Sequence, residues 1–552
     1  MSGILGTAVS GLMAFQRSLD TTSHNIANVN TEGYSRQRVD LTTNTPNLSG
    51  GHYIGQGVKI SAVTRNYDQY ISNQLTSSTS AFGESDVLAT MAARVDNIVS
   101  SEATGLSSSL KSFFNAANGV ANDPSSIPAR QVLTSESNSL AQQFNRLSAK
   151  FDGMNSEANS QMQGTADDIN IYAENLAELN GKIALEASRT GSNRLPLDLL
   201  DQRDVLVNKI AAKVSVLATP QQDGTVNVFI GKGQPLVLGS SSSKLSLSAS
   251  STNPSRKEVT LGGQQISKDI TGGELSGAIK FRDEILEPAQ QQLGLVAAGI
   301  AVQFNSLHST GFDLNGDAGT NMFSFGTPAL NVPVTSKPGS VGSVTASYDP
   351  STMGQLTPSD YELNYDGSNF ALKRLSDNTV TTFAGPPPST IAGPGFTITT
   401  SASVTANDSF VIKPTFEAAQ KMKALITDPA KIAAAGTTGG SGLPVPGDNT
   451  VALSLANLEK ASTLSGGKST ISSAYGQLVS QVGTQTHSAK VSSSAQEVLL
   501  NHAQQDRENL AGVNLDEEAA NLIKFQQSYQ AAAQVVSVAN TLFDSLMAAV
   551  RR

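Results

Sequence analysis

Asp201 and Asp204 lie in the run Leu199-Leu-Asp-Gln-Arg-Asp204 and are the residues best spaced for acid–base chemistry in this chain of 552 residues. Two carboxylates on one helical face can divide the roles of proton donor and acceptor. With Arg203 between them, however, the same spacing is met more simply by a solvated ion network on a helix surface, and that is the expectation here. The five histidines, at positions 24, 52, 308, 487 and 502, are scattered, and none has the i, i+4 spacing of a helical metal pair. Asp313, Asn315 and Asp317 begin like a calcium loop. Ala318 and Ser324 then stand where such a loop needs a glycine and a bidentate glutamate, so an Asx-rich turn is expected. Gly231-Lys-Gly233 is followed by neither a third spaced glycine nor Lys-Ser/Thr, which excludes a phosphate loop, and no Gly-x-Ser-x-Gly elbow occurs. Absence of cysteine excludes disulfides, thiolate nucleophiles and cysteine-based zinc sites. No catalytic, cofactor or metal site emerges, and the expected protein is not an enzyme.

The composition limits the remaining classes. A hydrophobic fraction of 38% supports genuine cores, while charged residues make up only 15%, below the roughly 25% of ordinary soluble proteins. A net charge of −9 argues against binding to nucleic acid through phosphate neutralisation. Residues 1–16 carry no lysine or arginine and their apolar residues are spaced, so a cleaved secretory signal is not expected. The longest uninterrupted apolar run, Leu293 to Val302, is half the ~20 residues that span a bilayer, and no membrane partner is expected.

What must be positioned, then, is surface rather than a reactive group, and the strongest patterning lies at the chain ends. From Leu515 to Arg552 there is no glycine or proline; Leu515, Leu522, Tyr529, Val536, Phe543 and Val550 share one heptad position, with Phe525, Ala532, Ala539 and Leu546 three residues after four of them. This is an a/d stripe, the pattern of a helix supercoiled on another helix. Asn514 and Glu517 predict a capping box, Asp516 and Glu518 suit the positive helix end, and Arg551 and Arg552 the negative one. At the other terminus Leu5, Ala8, Leu12, Phe15, Leu19, Thr22 and Ile26 form a second a/d stripe, weakened by Gly3, Gly6 and Gly11 at about 1 kcal/mol each. Such a helix is marginal unless its stripe is covered. Its partner is either the other terminus of the same chain or a neighbouring copy.

Between the stripes, helical spacing recurs at 84–118, at 140–183 with a stutter and two glycines that permit a kink, at 281–308, at 415–435 and after Ile471. Alternating segments recur at 38–80, 219–280 and 325–415, with turn signals at Asp223-Gly224 and Asp366-Gly367. The expected architecture is multidomain α plus β: a terminal α-helical coiled coil, a long-helix bundle and inserted β-rich outer domains. The expected division is 1–37 and 512–552 for the terminal coiled coil, 38–215 and 416–511 for the helical body, 216–324 for a β-rich insert with a helix, and 325–415 for a second β-rich domain.

After the first helix comes Asn25-Ile-Ala-Asn-Val-Asn-Thr-Glu-Gly33-Tyr-Ser-Arg-Gln37, a helix stop with a glycine turn. Within it Ala27, Asn28, Thr31, Gly33 and Tyr34 resemble the signature of the bacterial flagellar rod and hook axial proteins. Arg36 and Gln37, the Leu199–Asp204 run and Gly512–Glu518 resemble that family's hook-associated protein 1 branch. The resemblance covers essentially the whole chain and is weakest at 325–450. It implies a structural subunit of the hook–filament junction, exported without a cleaved signal by the flagellar type III apparatus and located outside the cell. Implied partners are further copies of itself, hook protein, the next hook-associated protein and an export chaperone on the C-terminal helix. The stripe residues Leu5, Leu12, Phe15, Leu19, Ile26, Leu515, Leu522, Phe525, Tyr529, Val536, Phe543, Leu546 and Val550 would form the assembly interface. A flagellin-like filament subunit or a fibre-borne adhesin is the alternative, although 5% aromatic residues and no tryptophan disfavour glycan binding.

Overall fold

The computed structural model describes residues 2–49, 52–190, 195–250, 253, 255–331, 342–439, 441–445 and 447–550. Gly50, Gly51, Arg551 and Arg552 fall outside them. The helices are α1 (Ser2–Ala27), α2 (Gln69–Val99), α3 (Ser107–Asn122), α4 (Ile127–Thr190), α5 (Leu197–Lys213), α6 (Gly273–Lys280), α7 (Glu287–His308), α8 (Thr450–Asn457), α9 (Ile471–Ala511) and α10 (Leu515–Val550). The architecture is the expected one, with long terminal helices, a helical body and β-rich middle regions. Several boundaries move: the 84–118 stretch is two helices, the first beginning fifteen residues earlier, at Gln69.

α4 is the spine, running 64 residues without a break through both Gly153 and Gly164. Its buried stripe, Phe144, Phe151, Met154, Ala158, Met162, Ile169, Ala173 and Leu176, is continuous across both glycines, and burial of that face offsets their helix cost. The strands of 216–265 lie against α4 and share its core rather than enclosing one of their own. Three asparagines on α4 peg them. Asn159 donates to Ser255 O at 2.8 Å; Asn170 exchanges two 2.8 Å bonds with the Leu245 backbone; buried Asn180 donates to Val226 O and Gly239 O at 2.8 Å. Each bond meets a backbone group that would otherwise be an expensive orphan.

The Asp223-Gly224 turn joins Val216–Pro220 to Val226–Ile230, and Asp366-Gly367 joins Tyr361–Tyr365 to Asn369–Arg374. The outer region consists of a five-stranded antiparallel sheet, in the order 329–331, 409–413, 361–365, 369–374, 380–384, and a three-stranded sheet, 344–348, 396–400, 390–393. Phe396, Ile398, Leu363, Phe410 and Ile412 are buried between them.

Residues 415–435 are not helical, contrary to their spacing. They contain one short strand, Lys423–Ala424, and a 3-10 turn, Pro429–Lys431. Body side chains take up their carbonyls instead: Asn145 donates to Ala419, Gln420 and Met422, and buried Arg130 donates to Ile432 O. Buried His308 completes the clasp, with Nδ1 donating to Thr320 O at 2.6 Å and Nε2 accepting from the Ala433 N–H at 2.7 Å. That geometry requires a neutral imidazole. Burial holds the His308 pKa below its usual 6.5, and nearby Arg130 adds to the effect. Its contribution is therefore fully present above about pH 6.5 and is lost as the pH falls through the folded-state value. Melting followed from pH 7.5 to 5 should show stability falling below pH 6.5, with a shallower fall in His308→Gln.

The Asp313 loop is the Asx turn its residues suggest, with Asp313 Oδ1 accepting the N–H groups of Asn315 and Asp317 at 2.8 and 3.0 Å. No cluster of three metal-ligating residues occurs among the described residues. By length and composition a stretch of α10 could cross a membrane. Part of its apolar surface also follows a heptad stripe, the middle of which lies on α1.

Candidate functional site

The two chain ends meet. α1 and α10 pack along one another, and α1's C-terminal Asn25 contacts α10's first turn at Glu518, so the pair is antiparallel. The half-buried positions of α10 include Leu522, Phe525, Tyr529, Ala532, Val536 and Ala539 of the a/d stripe, with Asn521, Ser528 and Ala533 flanking it. On α1 Ala8 and Thr22 are buried and Leu12, Phe15, Leu19 and Ile26 half-buried, while Leu5 is exposed. Coverage then stops. With Asn25 level with Glu518 and ~1.5 Å rise per residue, Ser2 falls roughly opposite Thr541. Every residue from Asn540 to Val550 is exposed, including Phe543, Leu546 and Val550 of the stripe; Leu515 is exposed at the other end. A stripe of the expected length is present, and its own chain covers only the middle.

At the root of the pair, five segments converge on the motif loop. α1 ends at Ala27; the Asn28 N–H donates to His24 O, and Gly33 turns the chain with φ 78°. A Cβ on Gly33 would sit 2.0 Å from Val205 of α5, so conformation and space both demand glycine there. Asn25, 1% exposed, uses its whole side chain. Its amide donates to Gln37 O at 2.9 Å and Glu518 Oε2 at 3.1 Å, and its oxygen accepts from Tyr34 Oη at 2.8 Å and Gln37 N at 2.9 Å. Arg36 clamps α10, reaching Glu518 Oε1 at 2.7 Å and Glu517 Oε2 at 2.9 Å, while its N–H donates to Ala511 O at 2.8 Å. Arg507 of α9 donates to Gly33 O at 2.5 Å.

The other side of the loop rests on α5. The Ser35 N–H donates to Asp201 Oδ2 at 2.9 Å, and Gln37 Nε2 to Asp198 Oδ1 at 2.7 Å. Arg65, at the end of the strand Val58–Arg65, pairs with Asp201 at 2.6 Å and Asp204 at 2.8 Å, stacking on Tyr67. Asp201 and Arg203 are buried, which corrects the solvated network expected for them: the loop and Arg65 cover that face of α5, and both charges are matched inside the fold. Burial pushes the Asp201 carboxyl above its usual range against the pull of Ser35 and Arg65. Burial, with the carboxylates of Asp198, Asp201 and Glu518, likewise holds the Tyr34 phenol well above its ordinary value. Asn514 caps α10 through bonds to Asp516 N and Glu517 N, but the Glu517 side chain turns to Arg36 instead of closing a capping box.

Of the motif residues, Asn28, Gly33, Tyr34, Arg36 and Gln37 all take part in this joint. Thr31 holds the turn through Asn28, and Ala27 closes α1. Sequence reasoning missed Asn25, Arg65, Asp198 and Arg507. Only Asn25, a polar residue one turn before a helix stop and beside the apolar stripe, carried a local signal. The arrangement's carboxylates are occupied by arginines, side-chain amides, His24 and the Ser35 N–H. It is a mechanical joint that sets the terminal pair on the body.

Terminal helices are paired across the whole chain length, with the body inserted between them, and the comparisons place this arrangement among the flagellar axial proteins. The model of the flagella basal body rod protein matches residues 5–34, and that of the flagellar basal body rod FlgEFG protein C-terminal region matches residues 504–549. The helical domain of flagellar hook-associated protein FlgK matches 92–323, and the D2-like domain of flagellar hook-associated protein 1 matches 335–414. Flagellar hook-associated protein 1 of Escherichia coli K12 is 34% identical over 99% of this chain and 100% of its own, and that of Bacillus subtilis 168 is 26% identical over 98% and 97%. The chain belongs to the flagellar hook-associated protein 1 family. The flagellar hook junction protein FlgK from Burkholderia pseudomallei shares the fold, with a TM-score of 0.71 at 24% identity over 80% of this chain and all of that one.

Proposed function

We propose that this chain is a structural, non-enzymatic subunit of the bacterial hook–filament junction. The observation that carries the reading is the half-covered α1–α10 pair at the ends of a chain whose termini match axial rod proteins. Residues 1–37 and 512–552 act as the assembly element, 38–215 and 416–511 as the body, with 216–324 packed into that body and 325–415 as the outward-facing insertion. Copies associate through the stripe positions that the single chain leaves exposed. Hook subunits on one side and the next hook-associated protein on the other are the neighbours this place implies, and the finished protein lies outside the cell. An export chaperone would cover the C-terminal helix before assembly, and a chain without cysteine suits passage unfolded through a narrow export channel.

Deleting 515–552 tests the reading. The truncated chain should keep the body's melting transition, because α10 adds only Glu518 to the buried set, and it should be absent from isolated flagella, with filaments lost. Normal filaments from that truncation would refute it.

A further inference from the structure

The strands Gln37–Thr43 and Val58–Arg65 form a hairpin that runs along α1, and they continue into a second paired segment, Asn47–Ser49 with His52–Ile54. Two contacts fix its height: Gln37 sits at Asn25, and the Val58 N–H donates to Ser10 Oγ. At about 3.3 Å per residue, the arm from Val58 carries Tyr53 roughly 16 Å further, past the start of α1. This is about the height of Asp544 on α10, where α10 has outrun its partner. Both ends are bare. On the hairpin Leu48, Tyr53 and Ile54 are 60%, 78% and 56% exposed; on the helix Leu542, Phe543, Leu546, Met547 and Val550 all exceed 44%. Neither end carries charge that would repel the other: 44–57 contains no Asp, Glu, Lys or Arg, and 540–550 contains only Asp544 of these. The hairpin holds the face of α1 that carries Ser10 and Asn25, and α10 the face of the a/d stripe, about 140° round the helix.

A subunit with an apolar knob on one flank and a bare apolar helix end at equal height on another is built for heterologous contact, in which each copy's knob meets the next copy's helix. We propose that the hairpin tip, Leu48, Tyr53 and Ile54, of one subunit packs on the uncovered end of α10, around Phe543 and Leu546, of an adjacent copy of this chain. The proposal rests on the assembly reading above and adds a second, specific interface to it.

Because the chain has no cysteine, engineered pairs report cleanly. In isolated flagella carrying Tyr53→Cys with Leu546→Cys, mild oxidation should give a ladder of linked chains that neither single variant gives. Dilute purified monomer should give none. An incorporated double variant without a ladder, a disulfide closing within one monomer, or linkage of Tyr53→Cys to a different protein overturns the proposal. Incorporation itself, read as presence in the flagella, tests the assembly reading separately. Should the double variant fail to incorporate, Tyr53→Asp decides. It should melt like the wild type, the site being exposed, and incorporate roughly tenfold less, the scale of losing an aromatic anchor, while Tyr53→Phe incorporates normally. Wild-type incorporation of Tyr53→Asp sinks the idea.

Discussion

Arg65→Ala should cost the folded chain about 3–5 kcal/mol, the largest effect expected of any single charge removal here. The side chain is 8% exposed and pairs with Asp201, itself 6% exposed, and with Asp204. Removing the cation strands a buried carboxylate that burial already disfavours, leaving the Ser35 N–H as its remaining partner in the loop. The magnitude comes from that stranded charge rather than from the pair's net worth. Asp201→Asn in the Arg65→Ala background should therefore recover part of the loss by discharging the site. Denaturant melts of the four variants give the coupling directly. Equal losses in the single and double variants would show that packing, not charge, holds this side of the joint.

Glu518→Ala should separate assembly from folding. Glu518 is the only buried residue of α10, and its carboxylate receives both Arg36 and Asn25. Without it the terminal pair loses its anchor to the loop while the body core, to which α10 contributes no residue, is preserved. The expected outcome is a body transition shifted by less than about 1 kcal/mol, amide protection across 2–27 and 515–539 falling together, and incorporation into flagella largely abolished. Arg36→Ala should reproduce most of this. The Arg36–Glu518 double-mutant cycle should give a coupling of about 1–3 kcal/mol. Unchanged protection in α10 would mean that the α1 stripe alone holds it.

Much of the framework was legible in advance because it is local. The heptad repeat of α10 and the 3–4 spacing of α1 are properties of short windows, and six of the ten predicted α10 positions are among the covered ones. The Gly33 turn and both Asp-Gly hairpins rest on backbone conformations that few residues adopt, so residue type announces them. Where the reading failed, long-range contacts outweighed local preference. Residues 415–435 have helical spacing, but Asn145, Arg130 and His308 take up their backbone groups from elsewhere in the chain. α4 passes through two glycines because its buried face continues.

The joint shows the division most plainly. The chain alone determined that a glycine turn follows the first helix and that both termini carry apolar seams. Tertiary structure alone decided what the turn is for. Arg65, Asp201, Arg507 and Glu518 are distant in sequence and individually ordinary, and each gains meaning only as the buried counter-charge or donor to the same loop. The physical reason is range. Helix period and turn geometry are set within a few residues, whereas a buried charge is tolerable only where the fold delivers its opposite, and no short window of sequence specifies that meeting.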